Sequence, residues 1–236
     1  MKAKFLAGTV LATAMTMTGV ASAQEVVRVA EPTWASARAI SGLIKVIIEE
    51  KMGGQAEIVP GNNAVIFKAM DRGKGDIDIH PDVWLPNQSN FTQEYVDEKG
   101  TVKLNENGYV GRGGFCMSKA VAEANNIRSI YDLATPEAAA LTDRDGNGKG
   151  DIWVGAPGWA ATKANSVKVR DYGIGDFFDA IQAEEEVATA SISSADTKKE
   201  GYAYYCYAPH FSWFVYDQVM LEEPAYDPEN YKIILE

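Results

Sequence analysis

The chain has little cysteine, little histidine and no excess of basic residues. Its 236 residues include two cysteines and two histidines, and 22 Lys and Arg stand against 33 Asp and Glu, which gives a formal net charge of −11. Nucleic acids and anionic membrane surfaces are bound through clustered Lys and Arg, so this acidic balance argues against both as partners. The sequence also has no Cys-x-x-Cys pair, and the usual redox and zinc motifs are therefore excluded.

Common catalytic motifs are missing as well. Neither His80 nor His210 stands in a His-Glu-x-x-His motif, and the chain has no Gly-x-Ser-x-Gly motif and no phosphate-binding glycine-rich loop. Glu31, Asp78 and Asp82 could supply a pair of catalytic carboxylates such as glycoside hydrolases use. In a chain so rich in acids such pairs arise by chance. We therefore expect a binding protein and no enzyme, with a secreted carbohydrate-active enzyme as the alternative from another class.

Residues 1–23 have the composition of a secretory signal peptide. Lys2 and Lys4 precede a largely apolar stretch of small residues, and Ala21-Ser22-Ala23 fits a signal-peptidase site. We expect cleavage after Ala23 and export to the periplasm. No later stretch of the sequence is long and apolar enough to predict a membrane span.

Strand and helix patterns alternate along the first third of the chain. Apolar periodicity predicts, in order, a strand at 26–30, a helix at 36–52, a strand at 56–59, a helix at 65–70 and a strand at 76–80. This order is typical of an α/β sheet with parallel neighbours. Further along, the pattern predicts strands at 152–155 and 203–206, and helices at 118–125, 129–133, 174–186 and 191–200.

A large aromatic residue follows or ends four of these strands. Trp34 comes after the first, and three others stand beside proline, in Asp82-Val83-Trp84-Leu85-Pro86-Asn87, Gly155-Ala156-Pro157-Gly158-Trp159 and Tyr205-Cys206-Tyr207-Ala208-Pro209-His210. Proline fixes φ and glycine permits tight turns, so these rings occupy stiff corners. Ligands of open α/β sheets bind beyond the carboxyl ends of the strands. Rings at such places suit a cation with no hydrogen to donate, such as a quaternary ammonium; core packing after tight turns is the alternative.

A short acidic loop resembles the start of an EF-hand calcium loop. Oxygen donors stand at positions 1, 3, 5 and 9, glycine stands at position 6, and a backbone carbonyl is expected from position 7. The residues concerned are Asp143, Asp145, Asn147, Lys149 and Asp151. Position 12, normally Glu, is Val154, and flanking helices are not predicted. The loop is therefore either a structural Ca²⁺ site or a solvated Asp-Asn-Gly turn.

Cys116 and Cys206 stand in similar strand-like surroundings, Gly114-Phe115-Cys116-Met117 and Tyr204-Tyr205-Cys206-Tyr207. An exported chain can form disulfides, but a bond would require the two strands to be adjacent. The residues leave open one disulfide or two buried thiols.

Three segments together resemble the periplasmic substrate-binding proteins of glycine betaine/proline betaine ABC importers. They are Gly75-Asp76-Ile77-Asp78 leading to Trp84-Leu85-Pro86, the acidic loop leading to Gly155–Trp159, and Tyr204–Pro209. The resemblance covers nearly all of the chain after residue 23. It implies a two-lobed type II periplasmic binding protein with two crossover strands, lacking the C-terminal part of the family fold. Lobe 1 would comprise 24–112 and 208–236, and lobe 2 would comprise 113–207.

The resemblance also implies a function and a set of contacts. The expected protein is a monomer that captures glycine betaine or a related quaternary-ammonium osmolyte for a membrane permease of an ABC importer. Trp84, Trp159 and Tyr207 would cage the quaternary nitrogen, and the backbone amides of Ala160 and Ala161 would hold the ligand carboxylate. Further candidate contacts are Gln88, Trp34, His80 and His210. Relatives can carry histidine at the position of Gln88, so choline, carnitine or a sulfonium osmolyte stays an alternative ligand.

Overall fold

Two β-sheets of unequal size organise residues 25–229, the part of the chain that the computed structural model describes. The first sheet contains two parallel strands, β1 Val26–Glu31 and β2 Gln55–Pro60. Helix α1 Ala35–Glu50 connects them and α2 Asn63–Asp71 follows. Val29, Ala30 and Ile66 are fully buried in the cores on either side of this sheet.

The second sheet has five strands in the order β5-β4-β6-β3-β7. They are β3 Arg112–Ser118, β4 Gly150–Gly155, β5 Phe178–Gln182, β6 Ala203–Ala208 and β7 Gln218–Met220. Strand β3 runs antiparallel to β6 and β7, whereas β4 runs parallel to β5 and β6. Phe115, Met117 and Ile152 are fully buried in its core. Burial of a side chain of this size contributes about 1.5–3 kcal/mol.

Helices cover the ends and faces of the second sheet. After α3 Ser89–Thr92 and a π-helical segment Gln93–Glu98, the chain forms α4 Lys119–Ala124, a 3₁₀ turn Ile130–Leu133, α5 Pro136–Ala140, α6 Ala160–Asp171, α7 Glu185–Lys198 and α8 Ser212–Val215. Within the described part of the chain, none of the helices combines the length and the apolar character that crossing a bilayer requires.

Cys116 and Cys206 form a disulfide. The bond joins the antiparallel neighbours β3 and β6, whose register sets Gly114 opposite Cys206 and Cys116 opposite Tyr204. Of the two alternatives that the sequence leaves open, the structure therefore has the disulfide.

Two sequence expectations are corrected. Residues 76–80 form only a bridge, Val29 to Ile79, because the Asp78 carboxylate accepts the Arg28 N–H and interrupts a regular ladder. The helix predicted over 174–186 is wrong, since β5 pairs with β4 at the sheet edge and α7 begins at Glu185; tertiary pairing overrides the helical spacing there. Strand β7, within the segment 208–236 that the resemblance assigns to lobe 1, pairs with β3 in the second sheet. The lobe boundaries stay a prediction.

Candidate ligand-binding site

One cavity between the two sheets brings together seven of the nine predicted ligand-binding residues. They are Trp34, Trp84, Gln88, Trp159, Ala160, Ala161 and Tyr207. Asn63, Asn87 and Tyr205 complete the lining. No charged side chain lines this cavity in the described part of the chain, so its wall is aromatic with a few amide groups.

The rings of the wall meet at right angles. The ring centroids of Trp84 and Tyr207 are 5.6 Å apart with an interplanar angle of 83°, and those of Trp159 and Tyr207 are 6.2 Å apart at 82°. Trp34 meets Trp159 at 6.2 Å and 80°. Perpendicular rings form the corners of a box, whereas stacked rings would cover each other's faces. These spacings are those of ordinary edge-to-face packing between rings. A cation in the cavity would be attracted to the ring faces that line it if it lay within roughly 6 Å of their centroids.

The local fold explains how the second-sheet indole is presented. Trp159 is the N-cap of α6, directly after the turn that leaves β4. Gly155 and Gly158 in this turn have φ values of 128° and 85°, and a Cβ on Gly155 would lie 2.3 Å from the Thr162 hydroxyl oxygen. The turn therefore requires glycine, and it fixes the direction in which the Trp159 ring points.

A buried carboxylate holds both first-sheet indoles. Asp82 Oδ2 accepts hydrogen bonds from Trp34 Nε1 at 2.7 Å, Trp84 Nε1 at 3.0 Å and Ser36 Oγ at 3.0 Å. The Tyr109 hydroxyl donates to the other oxygen. Burial, together with this hydrogen bond, raises the pKa of Tyr109, which keeps the phenol protonated as a donor.

A second buried carboxylate lies behind Tyr207. Glu185 Oε1 accepts from the Tyr207 hydroxyl at 2.6 Å, and Oε2 accepts from the backbone N–H of Ala35 at 2.8 Å. Ala35 begins α1, so Glu185 occupies the positive end of that helix. Burial and then the charge of Glu185 raise the pKa of Tyr207, which therefore stays a neutral donor.

The two histidines lie outside the lining of the cavity. His80 Nδ1 accepts from the Asp82 N–H at 3.2 Å and Nε2 lies 3.1 Å from Asn63 Oδ1. Burial lowers the pKa of His80 to about 4, so the ring is neutral near pH 7 and Nε2 donates to Asn63. The His210 ring packs 4.6 Å from the Tyr207 ring, and its Nε2 is 3.3 Å from Glu185 Oε1. Both histidines thus support residues of the wall.

The polar end of the cavity is formed by α6 and Gln88. The first-turn N–H groups of Ala160 and Ala161 have no partner within an α-helix, and the N-cap side chain of Trp159 makes no capping bond. Gln88 is 2% exposed and its Oε1 has no hydrogen-bond partner among the described residues. A buried amide without a partner costs about 1–3 kcal/mol, which a ligand group would recover. A 180° rotation of the Gln88 amide would place its NH₂ group there instead, as a donor to an acceptor on the ligand.

Two contacts join the sides of the cavity. Trp159 Nε1 donates to Thr33 Oγ1 at 2.8 Å, and Arg38 pairs with Glu186. Together with the bond from Ala35 to Glu185, these contacts tie the start of α1 to α6 and α7.

The sequence interpretation missed part of the lining. Asn63 follows β2 at the start of α2, as Trp34 follows β1, so the rule of searching strand ends would have found it. Asn87 and Tyr205 adjoin predicted residues but were not selected. The supporting role of Glu185 has no local signal, because its partners Ala35 and Tyr207 are 150 and 22 residues away in sequence.

The acidic loop folds as a tight hydrogen-bonded turn. Asp143 accepts from the N–H groups of Gly146 at 2.8 Å and Gly148 at 3.0 Å. Further bonds within the loop run from the Asn147 N–H to Asp145 Oδ1, from the Lys149 N–H to Asn147 Oδ1 and from the Arg144 N–H to Asp151 Oδ2. Between residues 25 and 229, no three His, Cys, Asp or Glu side chains gather closely enough to hold a metal ion. The calcium site stays a prediction.

Comparison with known proteins gives consistent matches. Residues 25–235 match the family model of the substrate-binding domain of ABC-type glycine betaine transport systems. The glycine betaine-binding periplasmic protein OusX of Dickeya dadantii (strain 3937) is 33% identical over 63 residues, which are 27% of this chain and 19% of the length of that relative.

Two solved structures show the fold. The glycine betaine, L-proline-binding protein ProX of Borrelia burgdorferi superposes with a TM-score of 0.68 at 22% identity, covering 84% of this chain and 69% of that one. An ABC-transporter choline-binding protein in complex with choline gives a TM-score of 0.67 at 18% identity, covering 84% and 64%. These likenesses show the two-lobed α/β architecture of periplasmic binding proteins.

Proposed function

The chain belongs to the family of substrate-binding domains of ABC-type glycine betaine transport systems, and we propose that it captures glycine betaine or a related quaternary-ammonium osmolyte for import. The cavity carries this proposal: four rings, three pairs of which are nearly perpendicular, line a space whose polar end has the first-turn amides of α6 and a buried amide oxygen without a partner. The protein would release its ligand unchanged to a membrane permease, as a binding component and not as an enzyme.

The two ends of the cavity suit the two ends of a betaine. Trp84, Trp159, Tyr207 and Trp34 would surround the trimethylammonium group, which has no hydrogen to donate and is attracted to ring faces. The amides of Ala160 and Ala161, at the positive end of α6, would hold the carboxylate, and Gln88 would donate to it. This assignment follows the residues that the resemblance to the family selects.

A ligand series tests the proposal. Thermal unfolding would be followed with glycine betaine, proline betaine, choline, carnitine, a sulfonium analogue and an oligosaccharide. A ligand present at a hundred times its dissociation constant adds about 2.7 kcal/mol to the free energy of unfolding, which is readily measured. If no cationic or zwitterionic ligand shifts the transition, the proposal is wrong.

Choline, carnitine or a sulfonium osmolyte is the second candidate ligand. The observation that favours it is the neutral wall, because Gln88 provides no positive charge for a ligand carboxylate. Calorimetric titration with each compound would rank them. The alternative of a carbohydrate-active enzyme predicts turnover of the oligosaccharide, and chromatography of the incubated sugar would detect it.

The family supports an extracytoplasmic location, because substrate-binding domains of ABC importers work outside the cytoplasm. The proposed signal peptide, residues 1–23, lies outside the described residues. Mass spectrometry of the exported protein should give an N-terminus at Gln24, and light scattering should give a monomer; an intact N-terminus or a stable oligomer would contradict these two expectations.

A further inference from the structure

Asp82 is a buried, ionised carboxylate surrounded by neutral donors. It is 4% exposed and accepts hydrogen bonds from two indoles, a serine hydroxyl and a phenol. Indole N–H groups can only donate, and a carboxylic acid would need one oxygen to donate in turn. With both oxygens accepting, the group is a carboxylate carrying a full negative charge.

That charge has no cationic partner within the protein. Among the described residues, no ion pair includes Asp82. The His80 ring lies beside it, and its Nδ1 accepts the Asp82 N–H and is therefore unprotonated. Burial lowers the pKa of His80 to about 4, so the ring stays neutral in the physiological range. The four neutral donors stabilise the carboxylate by hydrogen bonding but leave its net charge in place, so a cation nearby would be attracted to it.

Its position is directly behind two walls of the cavity. Trp34 Nε1 and Trp84 Nε1 both lie within 3.0 Å of Asp82 Oδ2, so the carboxylate is separated from the cavity by the width of an indole. In a water-poor interior a charge acts over such a distance with little screening. An indole that donates to a carboxylate also becomes more electron-rich, which makes its face more attractive to a cation.

Glu185, on the other side, differs in this respect. It also holds a wall residue, Tyr207, but its carboxylate receives the N–H of Ala35 at the positive end of α1 and lies 3.3 Å from His210 Nε2. The helix dipole offsets part of its charge. Of the two carboxylates, Asp82 is therefore the one whose hydrogen-bond partners are all neutral side chains.

We propose that Asp82 is the counter-charge of the bound cation as well as the residue that positions Trp34 and Trp84. This inference rests on the proposed function, since it assumes a quaternary ammonium between the rings. It adds a specificity: the charge attracts a trimethylammonium group and repels a ligand carboxylate, so it favours a net cation such as choline over a zwitterion such as glycine betaine.

The test compares choline and glycine betaine on the wild type and on Asp82→Asn, which keeps the size and most hydrogen bonds of the side chain. Dissociation constants would be measured by calorimetry. Removing the charge should weaken choline more than glycine betaine, changing the ratio of the two dissociation constants by roughly tenfold. Loosened rings alone would weaken both ligands by the same factor, because they share the trimethylammonium group, and that result would overturn the proposal.

Ser36→Ala is the matched control. It removes one donor to Asp82 without changing the charge, so the ratio of dissociation constants should stay as in the wild type. Trp84→Phe also keeps the charge and removes one donor to the carboxylate, so it too should leave the ratio unchanged. Should Asp82→Asn fail to fold, the wild type still tests the inference: with the charge in place it should bind choline more tightly than glycine betaine, and tighter binding of glycine betaine contradicts the inference. If the wild type binds neither ligand, the proposed function fails; if it binds them and the ratio is unchanged by Asp82→Asn, only this inference fails.

Discussion

The two sides of the cavity are built in different ways. On the second-sheet side, Trp159 and Tyr207 are placed by regular structure, the N-cap of α6 and the end of β6, in a sheet that a disulfide crosses. On the first-sheet side, Trp34 is likewise the N-cap of a helix, α1, but Trp34 and Trp84 both depend on hydrogen bonds to one carboxylate, Asp82, next to a sheet of only two strands. The second side therefore belongs to a larger sheet with a disulfide, whereas both indoles of the first side share one buried carboxylate.

The largest effect should come from removing the disulfide. Replacing Cys116 and Cys206 by alanine opens a link that spans 90 residues, and chain entropy predicts a loss of about 4–5 kcal/mol in the free energy of unfolding. Urea denaturation of the variant and of the oxidised wild type would measure it. Because the bond joins β3 and β6, hydrogen exchange should increase first in the second sheet. Equal stability of the two proteins would show that the second side does not depend on the bond.

Trp159→Ala should abolish ligand binding, with a rise in dissociation constant of at least about 100-fold. Its ring contacts Trp34 and Tyr207, and its indole N–H reaches Thr33 across the cavity. Binding would be measured by calorimetry and folding by circular dichroism.

Trp153→Phe is the control for this change, because Trp153 packs 5.6 Å from the Trp159 ring but does not line the cavity. It should bind ligand normally. If Trp159→Ala instead fails to fold, the ring is mainly a core residue. The second side of the cavity would then contribute to stability and not to ligand binding.

Acid should weaken the first side through His80. The folded protein holds the pKa of His80 at about 4, whereas an unfolded chain has the ordinary value near 6.5. The unfolded state therefore binds more protons between these values, so stability is present above pH 6.5 and is lost as the pH falls towards 4. From pH 7 to pH 5 the loss from this residue is about 2 kcal/mol.

The measurement is the free energy of unfolding at both pH values for the wild type and for His80→Gln, which can still donate to Asn63 but does not titrate in this range. The variant should lose less stability than the wild type on acidification. Parallel losses would show that His80 is not the group responsible.

The sequence predicted which rings line the cavity because the turns that carry them are local features of the chain. A strand and a glycine-containing turn precede Trp159, and a single bridge at Ile79 and a proline-containing turn mark the position of Trp84; both are short segments that the local sequence reveals. The carboxylates behind the rings were not assigned this role, since Asp82 bonds Trp34 across 48 residues and Glu185 bonds Ala35 across 150. Such partnerships depend on tertiary packing.

The same distinction explains the helix wrongly predicted over 174–186. Ile174 and Phe178 have helical spacing, yet both are buried against the second sheet, and pairing with β4 decides the conformation of Phe178–Gln182. Local spacing could not reveal that a free sheet edge lay beside this segment.

Calcium should have the smallest effect on the free energy of unfolding, and it would act on the second side of the cavity. The acidic loop ends where β4 begins, and β4 leads to the turn that presents Trp159. If the loop binds Ca²⁺, a tenfold excess over its dissociation constant adds about 1.4 kcal/mol to the free energy of unfolding, and EDTA removes it. Asp145→Asn, in the exposed part of the loop, should reduce that gain without changing the unliganded stability. A melting temperature equal in Ca²⁺ and EDTA would mean that the hydrogen bonds of Asp143 hold this turn unaided.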